Sequence, residues 1–333
     1  MSEGLLDRYD ALLFDLDGTV YRGGQALPAA AEAVDAAHAK GVAVRFVTNN
    51  ASRSPDEVAE HLRGMSVRAD VDEVSTSGQA AAAVLARELR AGDPVLVLGT
   101  DALVDEVAAV GLVPVRRFSV DVKGVAQGLS PKMTWEDLAE GALAIRAGAL
   151  WVACNVDRTL PSERGLLPGN GSLVHAMRVA TDQEPVVAGK PATPLMDQSI
   201  RSAGARRPLV VGDRLDTDIE GAVAAGVDSL LVLTGVATAA TVLAAGERER
   251  PTYLAQDLTA LTRPADDLLV TARPGWSVTA GADELAVDGD GDPLDLLRSL
   301  CAAHWAAGGP VPLIGARSEG ARSALTTLGL AIG

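Results

Sequence analysis

Ala11-Leu12-Leu13-Phe14-Asp15-Leu16-Asp17-Gly18-Thr19-Val20-Tyr21 places four apolar residues directly before two carboxylates at i and i+2. An uninterrupted apolar run of this length predicts a strand buried on both faces, the kind found in parallel sheets. The acids then fall at the carboxyl end of that strand, where the chain turns and both side chains are brought near each other. Gly18 allows the backbone to approach an anion closely. The plainer reading is a loop with scattered acids that caps a helix. The rest of the chain decides between them.

Working outward, the pattern predicts a helix over 28–39, a strand over 42–47 and a helix over 54–63. Pro28 suits a first helical turn and Gly41 a helix end. The same alternation returns with a strand over 209–211, a helix over 218–225 and a strand over 229–233. This alternation predicts an α/β fold, a Rossmann-like parallel sheet core with helices on both faces. The core is expected in two segments, 1–78 and 185–262. Residues 79–184 form a second βα-rich block, including a strand over 95–98, helices over 101–110 and 135–147, and a strand over 150–153. An α/β sheet accepts such an insertion in a loop leaving a strand's carboxyl edge, so this block is expected to be an inserted cap domain. After Arg263-Pro264, residues 264–333 read as strand, strand, helix, strand, helix, a small α+β C-terminal accessory module.

The 333 residues are 48% hydrophobic, enough for a large core in two or three structural units. A formal charge of −15 repels nucleic acid and anionic membrane, so neither is expected as a partner. No apolar run approaches the roughly 20 residues of a membrane helix, and the opening Met1-Ser2-Glu3-Gly4-Leu5-Leu6-Asp7-Arg8 does not read as a secretory leader. Cys154 and Cys301 are too few for a disulfide framework. A cytoplasmic location is the expectation.

Three further segments follow apolar strands as Asp15 does. Thr48-Asn49-Asn50 offers a hydroxyl, amides and turn N–H groups that can hold phosphoryl oxygens without adding negative charge; an Asn-rich turn is the plainer alternative. Gly189-Lys190-Pro191 supplies a lysine able to bridge Asp15 and a phosphate and to offset charge in a transition state, although Gly-Lys-Pro in isolation is usually a turn. Gly212-Asp213-Arg214-Leu215-Asp216-Thr217-Asp218 adds Asp213 at a strand tip, with Asp218 as a supporting group. Asp216 reads as an acid complementing a helix N-terminus. Together these predict phosphoryl transfer. Asp15 attacks phosphorus to form an aspartyl-phosphate, and Asp17 acts as general acid and then general base. Paired carboxylates beside a phosphate dianion require a cation, and hard oxygen ligands select Mg2+.

The ordered set resembles the four motifs of haloacid dehalogenase superfamily phosphatases. The resemblance implies that Asp15 and Asp213 ligate Mg2+ through their side chains and Asp17 through its carbonyl. The presence of Asp17 favours phosphoester hydrolysis, since dehalogenating and phosphonate-cleaving relatives replace that residue. Roughly 33 residues separate Asp15 from Thr48, about one crossover, whereas roughly 142 separate Thr48 from Lys190. The cap therefore falls after Thr48, as in the C2-capped, p-nitrophenylphosphatase-like subfamily. Within it, Cys154-Asn155-Val156-Asp157 is similar to that subfamily's Thr-Asn-x-Asp element. This likeness implies that Asn155 and Asp157 lie near the site and that residues 158–160, beginning at Arg158, form a specificity loop; a strand end plus turn is the alternative.

The chain most resembles bacterial glycerol-3-phosphate phosphatases that carry an additional C-terminal module. The resemblance implies a small phosphorylated metabolite as substrate, glycerol 3-phosphate first, with 2-phosphoglycolate or an aryl phosphate as alternatives. It also implies a homodimer formed through the cap. A non-catalytic sensor of a phosphorylated metabolite is the competing reading from another class. In the tail, Asp288-Gly289-Asp290-Gly291-Asp292 reads as a surface turn, since it lacks the spacing of a calcium loop. Arg317-Ser318-Glu319-Gly320-Ala321-Arg322 is weakly similar to an acetyltransferase pyrophosphate loop, with Arg322 in place of a small residue.

Overall fold

The computed structural model describes residues 3–162, 164–281 and 283–333; Met1 and Ser2, which open the segment read for a leader, lie outside them. The chain divides into two compact units, one formed by Met1–Val44 with Ala205–Gly333 and the other by Arg45–Gly204.

In the first unit, strands Tyr253–Ala255, Asp228–Val232, Pro208–Gly212 and Ala11–Phe14 lie side by side in that order, all parallel. Every residue of Ala11–Phe14 and Pro208–Gly212 is buried, as an uninterrupted apolar run requires. The register sets Phe14 opposite Val211, so Asp15 and Asp213 leave the same carboxyl edge on neighbouring strands. Helix Ala30–Ala39 begins two residues later than its sequence suggests. Ala29 adopts a left-handed conformation, φ +65°, and Ala30 N–H closes a turn onto the Leu27 carbonyl, which leaves Pro28 in that turn. Gly41, at φ +71°, follows the helix end.

The helix expected over 218–225 is instead a π-helical turn, Leu215–Ile219, running into helix Glu220–Ala225. Both Asp218 and Ile219 N–H groups converge on the Arg214 carbonyl, which widens the turn. The tail follows its expected order. Strands Trp276–Ala280 and Glu284–Gly289 are antiparallel, Leu313–Ala316 runs parallel to the second, and helices Pro293–Ala307 and Glu319–Thr327 complete the module. Its apolar residues join one cluster with Ile219, Leu231 and Leu254 of the parallel-sheet layer.

In the second unit, the end of strand Ala43–Thr48 pairs in parallel with Val74–Thr76. Helix Pro55–Gly64 follows, its start held by a reciprocal Ser54–Glu57 capping box. A second parallel sheet has the order Val186–Val187, Leu150–Ala153, Gly124–Gln127, Pro94–Leu98, Val113–Val115. Its core includes Leu96, Val125, Trp151 and Met177. Strands Thr159–Ser162 and Gly165–Pro168 form an antiparallel hairpin. Among the described residues, no helix is long and apolar enough to cross a membrane.

Candidate active site

Asp15, Asp213 and Asp218 come together at the carboxyl edge of the first unit's sheet, each with a carboxylate oxygen within 4.8 Å of the others. Asp213 and Asp218 are fully buried and Asp15 is half-buried. Unit charges at such spacing repel by roughly 3 kcal/mol per pair at an effective dielectric of about 20. Three hard oxygen donors converging on one point suit a cation of the Mg2+ type.

The sequence shapes this cluster through glycine. Asp213 Oδ2 accepts the Val236 N–H at 2.7 Å, Oδ1 accepts the Thr19 hydroxyl at 3.3 Å, and the Asp213 carbonyl accepts Ala237 N–H at 3.0 Å. A Cβ at either Gly18 or Gly235 would overlap the Asp213 carboxylate, and one at Gly212 would overlap Asp218. Gly18 also needs its φ of +94° for the turn after Asp17. Thr234 Oγ1 donates to the Gly18 carbonyl at 2.6 Å, tying this loop to the Asp15 segment. Arg214 N–H holds Asp218 Oδ2 at 3.1 Å. Arg214 also grips both oxygens of Asp216, so that acid serves as an arginine's partner. Asp17, by contrast, has an exposed side chain.

In the second unit, Asn49 is the hub. Its Nδ2 donates to both oxygens of Asp157 at 3.3 Å and to the Lys190 carbonyl at 3.0 Å, while its Oδ1 accepts Lys190 N–H at 2.8 Å. The Asn49 carbonyl accepts Asn155 Nδ2 at 2.7 Å and Ser77 Oγ at 2.6 Å. Asn155 Oδ1 in turn accepts Asp157 N–H at 3.2 Å. Lys190 is almost wholly buried, with Nζ donating to the Val47 carbonyl at 3.0 Å. Thr48 is buried and its Oγ1 accepts Asn50 N–H. Thr48, Asn49, Asn155, Asp157 and Lys190 are therefore gathered in one polar knot. Arg158 is exposed; its carbonyl is fixed by Gly169 N–H and Ser172 Oγ. Cys154 is buried, and burial pushes its thiol up to about 12, which leaves it protonated and unreactive.

Two family models match the parts that carry these residues: a haloacid dehalogenase-like hydrolase at 12–113 and a related hydrolase-like family at 187–261. D-glycerol 3-phosphate phosphatase of Mycobacterium tuberculosis is 50% identical over 314 residues, covering 92% of this chain and 88% of that protein. The chain belongs to the haloacid dehalogenase-like hydrolases. A 5'-nucleotidase of Bacillus subtilis is 37% identical over 75% of this hydrolase and 96% of its own length. The crystal structure of the M. tuberculosis glycerol phosphate phosphatase in complex with magnesium superimposes with a TM-score of 0.94. It shares 49% identity and is covered completely by 99% of this chain. A 4-nitrophenylphosphatase from Thermotoga maritima gives 0.72 at 30% identity, covering 78% of this chain and 98% of its own. Residues 273–330 of the hydrolase match a GCN5-related N-acetyltransferase-like domain.

The sequence reading passed over Thr19 and the Thr234-Gly235-Val236-Ala237 loop. The available signal was a glycine three residues after a buried strand, Asp228–Val232, in a sheet whose other strand ends already carried the acids.

Proposed function

We propose that this hydrolase cleaves a small phosphomonoester, glycerol 3-phosphate first, to the alcohol and inorganic phosphate. The observation that carries this reading is the convergence of Asp15 with two fully buried carboxylates at one strand edge. The 50% identity to a protein named for D-glycerol 3-phosphate supports the choice of alcohol. With 2-phosphoglycolate and an aryl phosphate as the alternatives, relatives named 5'-nucleotidase and acid sugar phosphatase add nucleotide and sugar phosphates as controls.

In this reading an Asp15 carboxylate oxygen forms a bond to phosphorus as the ester P–O bond breaks. Asp17, whose side chain is exposed and able to swing, protonates the departing alcohol oxygen. Asp17 then takes a proton from the water that attacks the aspartyl-phosphate, releasing phosphate and restoring Asp15. Asp15, Asp213 and the Asp17 carbonyl, with Asp218 beside them, are the residues that would hold Mg2+, which when bound offsets the charge of the carboxylates and phosphoryl oxygens. Thr48 and Lys190 are assigned to phosphoryl oxygens. Asn49, its side-chain amide already committed to Asp157 and Lys190, serves by holding those neighbours. Asn155, Asp157 and Arg158 are assigned to substrate selection.

We divide the chain by role into a catalytic core, 1–78 with 185–262, a cap, 79–184, and a C-terminal module, 264–333. Free buried thiols at Cys154 and Cys301 suit a reducing, cytoplasmic compartment. Exposed Trp135 and Leu143, two turns apart on helix Trp135–Arg146, suit a homodimer formed through the cap.

Phosphate release from glycerol 3-phosphate, 2-phosphoglycolate and an aryl phosphate, with and without Mg2+, tests the reading. Glycerol 3-phosphate is expected to give the highest kcat/KM, and Asp15→Asn is expected to lower it by roughly 10⁴-fold or more. No Mg2+-dependent release from the panel, or an Asp15→Asn protein as active as the parent, would overturn it.

A further inference from the structure

The C-terminal module carries the acetyltransferase-like match, yet the turn that would receive a pyrophosphate is filled by the chain itself. Ser318 Oγ donates to the Gly289 carbonyl at 2.7 Å and accepts N–H groups from Gly289 and Ala321. Arg317 is paired with Glu284. A Cβ on Gly320 would press on the Gly289 carbonyl at 2.6 Å. Helix Pro293–Ala307 of the module does reach outward with polar groups.

That helix makes two directed attachments to the parallel-sheet layer. Arg298, fully buried, sends Nε and one terminal nitrogen to the Leu254 carbonyl at 3.2 and 2.5 Å, with Asp295 at 2.7 Å as its counter-charge. Trp305 Nε1 donates to the Leu243 carbonyl at 3.1 Å, and the Arg250 guanidinium lies 5.3 Å above the Trp305 ring. Leu243 ends helix Ala239–Leu243, which has only five residues. A helix that short has no stability of its own and takes its position from what packs on it. Ala239, Val242 and Leu243 are buried in one cluster with Leu296, Leu297, Leu300 and Cys301 of the module's helix.

The short helix begins directly after the loop that grips Asp213. Val236 N–H and the absent Gly235 side chain set the position of that carboxylate, Ala237 N–H holds the Asp213 backbone carbonyl, and Ala237 belongs to the same cluster. The loop is thus held by buried strand Asp228–Val232 at one end and by the module at the other. We propose that the module's function is to position Asp213: Trp305, acting through Leu243 and the 234–237 loop, is a positioning residue that sets the cation affinity of the carboxylate cluster. This rests on the reading of that cluster as a cation site, but not on the identity of the substrate.

The test uses full-length protein stripped of metal, titrated with Mn2+ and followed by electron paramagnetic resonance, so that neither substrate nor turnover enters. Trp305→Phe keeps an aromatic ring and removes the N–H. Its Mn2+ dissociation constant is expected to rise roughly three- to tenfold, below the roughly 10- to 100-fold typical of groups that contact a metal ligand directly, because Trp305 acts through Leu243. Arg250→Gln, a milder change above the same ring, is expected to raise it by about twofold, and keeps the question answerable should Trp305→Phe not fold. Trp276→Phe makes the same chemical change within the module, where Trp276 Nε1 donates to the Asp292 carbonyl at 3.0 Å. Its Mn2+ affinity is expected to match the parent. Parental affinity in both Trp305→Phe and Arg250→Gln would overturn the proposal. So would an equal loss in Trp276→Phe, which would mark general loosening. Mn2+ binding that follows this pattern in a protein without phosphatase activity would sink the functional reading and leave the positioning role standing.

Discussion

The two units solve opposite electrostatic problems with the same local architecture, a parallel strand ending in a polar turn. The first concentrates like charge: Asp15, Asp213 and Asp218 share one small volume, and two of them have no exposure to water. The second is built from amides around Asn49, whose side chain donates to carboxylate and carbonyl oxygens and accepts a backbone N–H. A knot of paired amide bonds is stable as it stands, whereas a cluster of close carboxylates gains from a cation that offsets their mutual repulsion. The first unit is therefore poised to bind a cation, whereas Asn49 in the second holds the geometry of its neighbours.

Removing a charge from the first unit tests this difference most severely. Asp213→Asn is expected to weaken Mg2+ or Mn2+ binding by roughly 100-fold or more, since it deletes a ligand and its charge together. The metal-free protein should respond the other way, because one source of repulsion is gone. Its melting temperature is expected to rise by a few degrees, equivalent to about 1 kcal/mol. Calorimetric scans of both proteins with and without Mg2+ read both effects. A metal-free Asp213→Asn that melts below the parent would show that the hydrogen bonds from Val236 and Thr19 matter more than the repulsion.

Glycines sharpen the contrast. Gly235→Ala drives a methyl into the Asp213 carboxylate itself, so metal affinity is expected to fall further than stability. Gly171→Ala in the second unit drives a methyl into the Val156 carbonyl, which is backbone and cannot move alone. Its stability loss is expected to be the larger, about 3 kcal/mol, with the first unit's metal affinity unchanged. Equal metal-affinity losses in the two variants would erase the distinction. Asn49→Ala should cost about 2 kcal/mol by urea unfolding, because the Lys190 N–H loses its acceptor and Asp157 two hydrogen bonds.

The parts of this arrangement legible in sequence were those signalled locally. An apolar run followed by Asp15-Leu16-Asp17 or by Gly212-Asp213 announces a buried strand and an acid at its end, because strand burial and chain order are properties of neighbouring residues. The Ser54–Glu57 box likewise marks a helix start three residues apart. Gly235 was illegible for the opposite reason: what forbids its side chain is a carboxylate 22 positions earlier, brought close only by the pairing of Pro208–Gly212 with Asp228–Val232. Asn49 showed itself as a polar residue at a strand tip, but its partners at 157 and 190 come from segments more than 100 residues away. The π-helical turn at Leu215–Ile219 replaced a plain helix because the Arg214 carbonyl takes two N–H groups, a preference no helix-propensity scale contains.

The smallest expected effect concerns how the second unit treats an acid of its own. Burial, with Asp105 beside it, raises the Glu106 carboxyl to about 7 from an ordinary value of 4.5. The folded chain therefore binds this proton more tightly than the unfolded chain does. Across the window from about 4.5 to 7 the folded state carries the extra proton, so this group's contribution to stability falls as pH rises and is level above 7. Glu106→Gln, which cannot ionise, escapes that loss. Relative to the parent it should be close to neutral at pH 4.5 and more stable by about 1 kcal/mol at pH 8, after allowance for partial solvent screening. Urea midpoints at the two pH values measure the difference. The same advantage at both would mean that Glu106 is not what titrates. An advantage that grows with pH would show the second unit relieving a strained charge with a proton rather than with a cation.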